Sequence, residues 1–272
     1  MIPPPPAQTE FWEKESFPKF VRFWEVCNRL FDALNKFTLN AGVVNDKNET
    51  VIRSLGISTE IAFADVIMLV AHGHGIGAKK IARTCLESAI NAEYLRLEPT
   101  EHRYFLDWSL IEQHRKVEYM RKYMPVEFAN LDPVMVADTE KEYQAVLPRF
   151  VLPNNKNRLR QSWCRLNLRK RAIRANLEDM YGSVYGTSSE LSHCSFGGLA
   201  QHVETIVGNK WQPAIPPSSI GCAHALQTAH YCAFQAVRTL ALLKDTDSTP
   251  PLDALKNDYD YAWQEQRKAA IP

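Results

Sequence analysis

Along most of the chain, apolar residues recur every three or four positions, the period of a helix with one buried face. Phe11, Phe17, Phe20, Phe23, Trp24, Cys27, Leu30, Phe31 and Leu34 follow this spacing and predict a helix from Glu10. The Gly, Asn and Asp content of AGVVNDKNET predicts a loop. A helix is expected over TVIRSLGISTEIAFADVIMLVA, interrupted at Gly56, and HGHGIG should then break it. The strongest helical pattern is GAKKIARTCLESAINAEYLRLEP, with Ile81, Cys85, Leu86, Ala89, Ile90, Ala92 and Tyr94 on a wide apolar face and Pro99 as its stop. Thr100 is placed to cap the next helix, EHRYFLDWSLIEQHRKVEYMRKY, with Arg103 where a capping-box Glu would stand.

A shorter helix is expected over residues 133–146, another through RLNLRKRAIRANLEDMYGSVYGTSSELSHC with a weak point at Gly182 or Gly186, and a last long one at IGCAHALQTAHYCAFQAVRTLALLKD. LPRFVLPNNKNRL, FGGL and VGNKWQPAIPPSS should be loops. No stretch alternates in the manner of a half-buried strand, and no period of 20–50 residues repeats. The expected fold is all-α, a single helical-bundle domain of about eight helices over residues 10–244. Residues 1–9 should form a proline-rich extended tail, and residues 245–272 a polar tail with room for one short helix.

Composition narrows the function classes. The 272 residues carry 32 basic and 31 acidic side chains, so no overall field draws the chain to nucleic acid or membrane, and any such contact must be local. Six cysteines, at 27, 85, 164, 194, 222 and 232, make no C-x-x-C pair, and MIPPPPAQTEFW has neither a basic segment nor an apolar run of the secretory type. A cytoplasmic protein with reduced, buried thiols is therefore expected. The apolar run Ile61–Ala71, broken by Asp65, is too short to span a bilayer, so no membrane association is expected.

Candidate chemistry falls in four places besides the stretch at residues 181–196. His72 and His74 in HGHGIG could chelate one metal ion with help from elsewhere, or could be solvated residues of a glycine-rich turn. Cys222, His224, His230 and Cys232 resemble a ligand set on paper, but residues two apart on a helix point about 200° apart and cannot share an ion. The run from Lys156 to Arg174 holds eight basic residues and no acid; Arg165, Arg169, Arg171 and Arg174, with Trp163 to stack on a base, could attract RNA, or could be a solvated face. Finally, Arg83, Glu87 and Asn91 form a polar line along the strongest helix. It reads either as a buried structural network or as part of a site.

YGSVYGTSSELSHCSF is oddly polar for a helix. Tyr181, Tyr185, Ser189 and His193 follow one another at intervals of four, a broad stripe combining hydroxyls with an imidazole suited to proton transfer. Serines that bond back to helix carbonyls are the structural alternative. No cofactor or metal is required by these patterns. The aromatic N-terminal helix exceeds what one face can bury, which points to a homodimer.

Two stretches together, residues 75–120 and 181–198, resemble a bacterial domain-of-unknown-function family numbered 5677. The resemblance rests on Arg83 and Glu87 in an Arg-x-x-x-Glu helix with a Tyr-Leu after it, and on Tyr185, Ser189 and His193 in a Tyr-x-x-x-Ser-x-x-x-His segment. That family's helical pattern is similar to the HEPN superfamily, many of whose members are metal-independent ribonucleases or nucleotide-binding partners in defence and toxin systems. The resemblance implies a site of Arg83, Glu87, Tyr185 and His193 acting on RNA or a nucleotide. The HEPN nuclease motif, an Arg four to six residues before a His on one helix, is absent: residues 186–189 are Gly, Thr, Ser and Ser, and Pro99 interrupts Arg96 and His102. Arg83 would have to supply the cation from another helix. A non-enzymatic helical interaction module and a metal-dependent hydrolase using His72, His74 and His193 are the other readings.

Overall fold

The computed structural model describes residues 6–38, 46–152, 155–192, 198, 203–207, 210–213, 216–243 and 252–264. The fold is all-α, as the apolar spacing predicts. The principal helices are α1 (Val21–Thr38), α2 (Lys47–Ala71), α3 (Gly75–Leu97), α4 (His102–Tyr123), α5 (Pro133–Val146), α6 (Leu168–Arg174), α7 (Gly186–Ser192), α8 (Cys222–Leu243) and α9 (Leu252–Ala262). Two antiparallel hairpins are present, β1 (Val151–Leu152) with β2 (Asn155–Leu159) and β3 (Val203–Val207) with β4 (Lys210–Pro213); β1, β2 and β4 stand where loops are expected. Strands of two to five residues are too short for alternation to register as a pattern. By contact, the chain divides into two compact units, Met1–Leu97 with Arg171–Pro272, and Glu98–Lys170.

In the first unit, α2, α3 and α8 pack on one another. Close approach comes from small residues: Ala225, Ala229, Ala233 and Ala236 on α8 are buried, as are Ala78, Ala82 and Ala89 on α3. Gly56 does not interrupt α2. A Cβ there would lie 2.9 Å from Leu240 Cδ1, so the glycine lets α2 and α8 meet. Asp46 caps α2, its carboxylate accepting from the backbone N–H groups of Asn48 and Glu49. At 25 residues, α2 is long and apolar enough to cross a membrane, but its Ile52, Phe63, Val66 and Val70 are fully buried here.

Glu93 is buried between α3 and α8. Its carboxylate accepts two hydrogen bonds of 2.8 Å from Arg96 and one of 2.9 Å from Thr239. The pair answers the cost of burying the charge.

Both termini depart from expectation. A helix begins at Pro6 rather than Glu10, since proline is well suited to a first helical turn. Helix α9 is not a detached polar tail: Leu255, Tyr259 and the following Trp263 are buried, and Arg29 on α1 pairs with Asp258. Trp263 donates its indole N–H to His230 Nδ1 at 3.1 Å, and Phe23, Phe63 and Tyr259 surround the same imidazole. Burial pushes the His230 pKa down to about 3. The aromatic excess of the N-terminal segment is largely taken up within the chain, with Phe11, Phe20 and Phe23 buried and Trp12 against Phe17 and Trp24. Phe17 stays exposed.

In the second unit α4 packs on α5, and Trp108, Ile111, Phe150 and Trp163 fill its core. Asp132 caps α5 by accepting from Val134 N–H. Thr100 does not cap α4. Residues Pro99–Glu101 form a 3-10 turn instead, and no side chain caps the helix.

Candidate functional site

On α3 the four-residue spacing continues upstream of the predicted line, giving Lys79, Arg83, Glu87 and Asn91 on one stripe. Opposite lies a helical stretch that opens at Glu178, passes through a π-helical turn at Tyr181–Tyr185 and continues as α7. The predicted weak point at Gly182 or Gly186 coincides with this turn. Neither glycine is required by packing, since a Cβ at either would meet nothing within 4 Å.

Arg83 joins the two elements. Its Nε donates to Glu87 at 2.8 Å and its Nη2 donates to the Tyr185 hydroxyl at 2.9 Å. Its guanidinium also lies 4.4 Å from the centre of the Tyr185 ring. Tyr181 stacks on Tyr185 with ring centres 4.7 Å apart. One turn along, Arg171 of α6 donates to the Asn91 side chain. Of the residues assigned from sequence, Arg83, Glu87 and Tyr185 therefore meet, and Asn91 meets Arg171. Ser189 is half-buried and Ser188 fully buried. Ser183 bonds back to the Asp179 and Met180 carbonyls, the structural use of a helical serine. His193 lies outside the described residues.

One group near this stripe is not legible as part of it in the sequence, where His224 stands out only as a possible metal ligand. Burial lowers its pKa first, the charge of Lys79 lowers it further, and the Ser183 carbonyl opposes both. It is a neutral imidazole between α3 and the 181–185 turn. The glycines around His72 and His74 have a structural use. A Cβ on Gly73 would lie 2.7 Å from Pro217 Cα, one on Gly75 would lie 2.1 Å from the Ile220 carbonyl, and Ser218 N–H donates to the Gly73 carbonyl. The glycines of HGHGIG serve this close backbone contact.

The basic run does not form one face. Arg171 is buried, while Arg169 and Arg174 are exposed. Trp163 does not offer a stacking surface: it is buried, edge-on to Phe105 with ring centres 5.2 Å apart. Arg165 instead joins Arg149, Arg158 and Arg160 around a cleft of about 960 Å³ in the second unit, with Tyr104 and Asn167 also on its wall. Arg149 pairs with Asp107. Arg160 donates to the Arg149 carbonyl and lies 5.6 Å from the Phe150 ring centre. Burial, and then the Arg165 charge, lower the pKa of Arg160. Among the described residues no carboxylate pairs with Arg158 or Arg165. The overlooked signal was the spacing of Arg158 and Arg160. Two residues apart in extended backbone, they share a side.

A family of unknown function, DUF5677, matches residues 62–209, which include the whole Arg83–Tyr185 contact and the arginine cleft. The chain belongs to that family. Comparison with curated proteins and with solved structures gave no match. The DUF5677 region begins within α2 and extends past the end of β3, so it omits α1, α8 and α9.

Proposed function

We propose that this DUF5677 protein is a cytoplasmic, HEPN-like helical protein that binds RNA or a nucleotide, and that the arginine cleft of residues 98–170 takes the phosphates. The observation that carries this reading is the cleft itself. Four guanidiniums line one concavity, and two of them lack a carboxylate partner among the described residues. Guanidinium forks match phosphate oxygens in pairs, and a partly desolvated arginine such as Arg160 gains from an anion that would replace lost water. The volume, about 960 Å³, is at the top of the range of about 300–1,000 Å³ usual for small-ligand sites, enough for a nucleotide or a short piece of a strand.

Ribonuclease action in a defence or toxin role is the more specific form of this reading. It assigns Arg83 to the phosphate and His193 to proton transfer. One observation favours a different role for this stripe. Arg83 already donates from Nε to Glu87 and from Nη2 to Tyr185 and is only 20% exposed, which suits a tie between helices in a non-enzymatic interaction module. A homodimer through Phe17 belongs to the same proposal, and a monomer by light scattering would remove it.

The test is incubation of wild type and His193→Ala with a mixed RNA pool at low salt. Binding by both proteins is expected. Cleavage by wild type alone would establish the nuclease form, cleavage by neither would reduce the protein to a binder, and failure of both to bind would end the proposal.

A further inference from the structure

The second unit carries a cluster that the proposed function does not use. His114 and Glu118 lie one turn apart on α4, and Glu140 on α5 reaches the same point. His114 Nε2 is 2.9 Å from a Glu140 oxygen and 4.0 Å from a Glu118 oxygen, and the three ligand atoms all lie within 4.8 Å of one another.

We infer that His114, Glu118 and Glu140 bind a divalent transition-metal ion of the zinc class, clamping α4 to α5. The spacing is the first argument. A tetrahedral ion bound at about 2.1 Å holds its ligand atoms about 3.4 Å apart. The two imidazole–carboxylate distances, 2.9 and 4.0 Å, bracket that value. The ligand chemistry is the second. One imidazole nitrogen with two carboxylate oxygens suits zinc and its neighbours better than magnesium or calcium, which take oxygen alone. Three protein ligands also leave a fourth position open.

The surroundings fix the ligands. The His114 ring stacks on Tyr143 with centres 3.7 Å apart and planes 5° from parallel, which holds its edge toward the carboxylates. Gln144 donates to the second oxygen of Glu140 at 2.7 Å, so that carboxylate is oriented from behind. One group opposes the ion. Arg121 lies 2.6 Å from the Glu118 oxygen that faces His114 and would have to turn aside.

That competition gives the test a signature. The full chain, stripped with a chelator, is titrated with zinc chloride by calorimetry. Wild type should take one ion per chain. Glu118→Gln, at an exposed position where folding is not at stake, should weaken binding at least tenfold, and His114→Ala should do the same. Arg121→Gln keeps every ligand and removes the opposing charge, so it should bind at least as tightly as wild type. No saturable zinc binding, binding that survives in Glu118→Gln or His114→Ala, or weaker binding in Arg121→Gln would each overturn the inference.

Discussion

Arg83 and Tyr185, 102 residues apart in the chain, meet twice: Nη2 donates to the phenol oxygen at 2.9 Å, and the guanidinium lies 4.4 Å from the ring centre. The contact fastens α3 to the π-helical turn at 181–185. Tyr185→Phe keeps the ring and removes the acceptor, and should cost about 1 kcal/mol in urea unfolding. In a double-mutant cycle with Arg83→Met, the two losses should fall short of additivity. Additive losses would mean that the contact does not form in solution.

The glycines at the start of α3 should behave in opposite ways. Gly75→Ala drives a Cβ into the Ile220 carbonyl, 2.1 Å away, and should destabilise by about 3 kcal/mol or more. At Gly77 the nearest atom is 3.9 Å from a new Cβ, so Ala should be neutral or stabilise by up to about 1 kcal/mol through helix propensity. Thermal melts of the two variants decide it.

Buried Glu93 depends on Arg96. Arg96→Met leaves the carboxylate with Thr239 alone and should cost about 3–5 kcal/mol, whereas Glu93→Gln with Arg96 intact should cost less, because Arg96 is partly exposed. Equal costs for the two variants, measured in guanidinium chloride, would contradict this.

His230 makes stability depend on pH in a defined direction. Its pKa in the folded protein, about 3, is below the unfolded value of about 6.5, so the unfolded chain binds the extra proton first. The stabilisation is complete above pH 6.5 and is lost as pH falls toward 3, by up to about 1.4 kcal/mol per unit. His230→Gln, which still offers Trp263 an acceptor, should lower stability at neutral pH, and its deficit should shrink between pH 6 and pH 4. A deficit that does not change with pH would place a charged imidazole in the fold.

The helices were legible because apolar spacing reports a buried face, and α2, α3, α4 and α8 all carry one. Gly56 misled because a glycine in a sequence does not say whether it breaks a helix or lets another approach; only Leu240 across the gap decides. The polar line of α3 was legible for the same reason as its apolar face, since both follow the helical period. The partners of that line were less so. Tyr185 could be named from its own spacing, but Arg171 looked like any other member of a basic run until its contact with Asn91 turned it inward. Trp163 looked available for stacking because sequence does not show Phe105 beside it. The arginine cleft was half visible: the run of charge was plain, but Arg149 comes from beyond the hairpin, and only the fold brings it to Arg158, Arg160 and Arg165.

We propose that this cleft binds phosphate. Its most direct test is fluorescence anisotropy of a labelled single-stranded RNA, titrated at low salt with wild type and with Arg158→Glu/Arg165→Glu, both changes being on the cleft wall. Wild type should bind with an affinity that falls as salt rises, and the double variant should bind at least tenfold more weakly with a shallower salt dependence. Equal binding by the two proteins, or none by wild type, would contradict the claim.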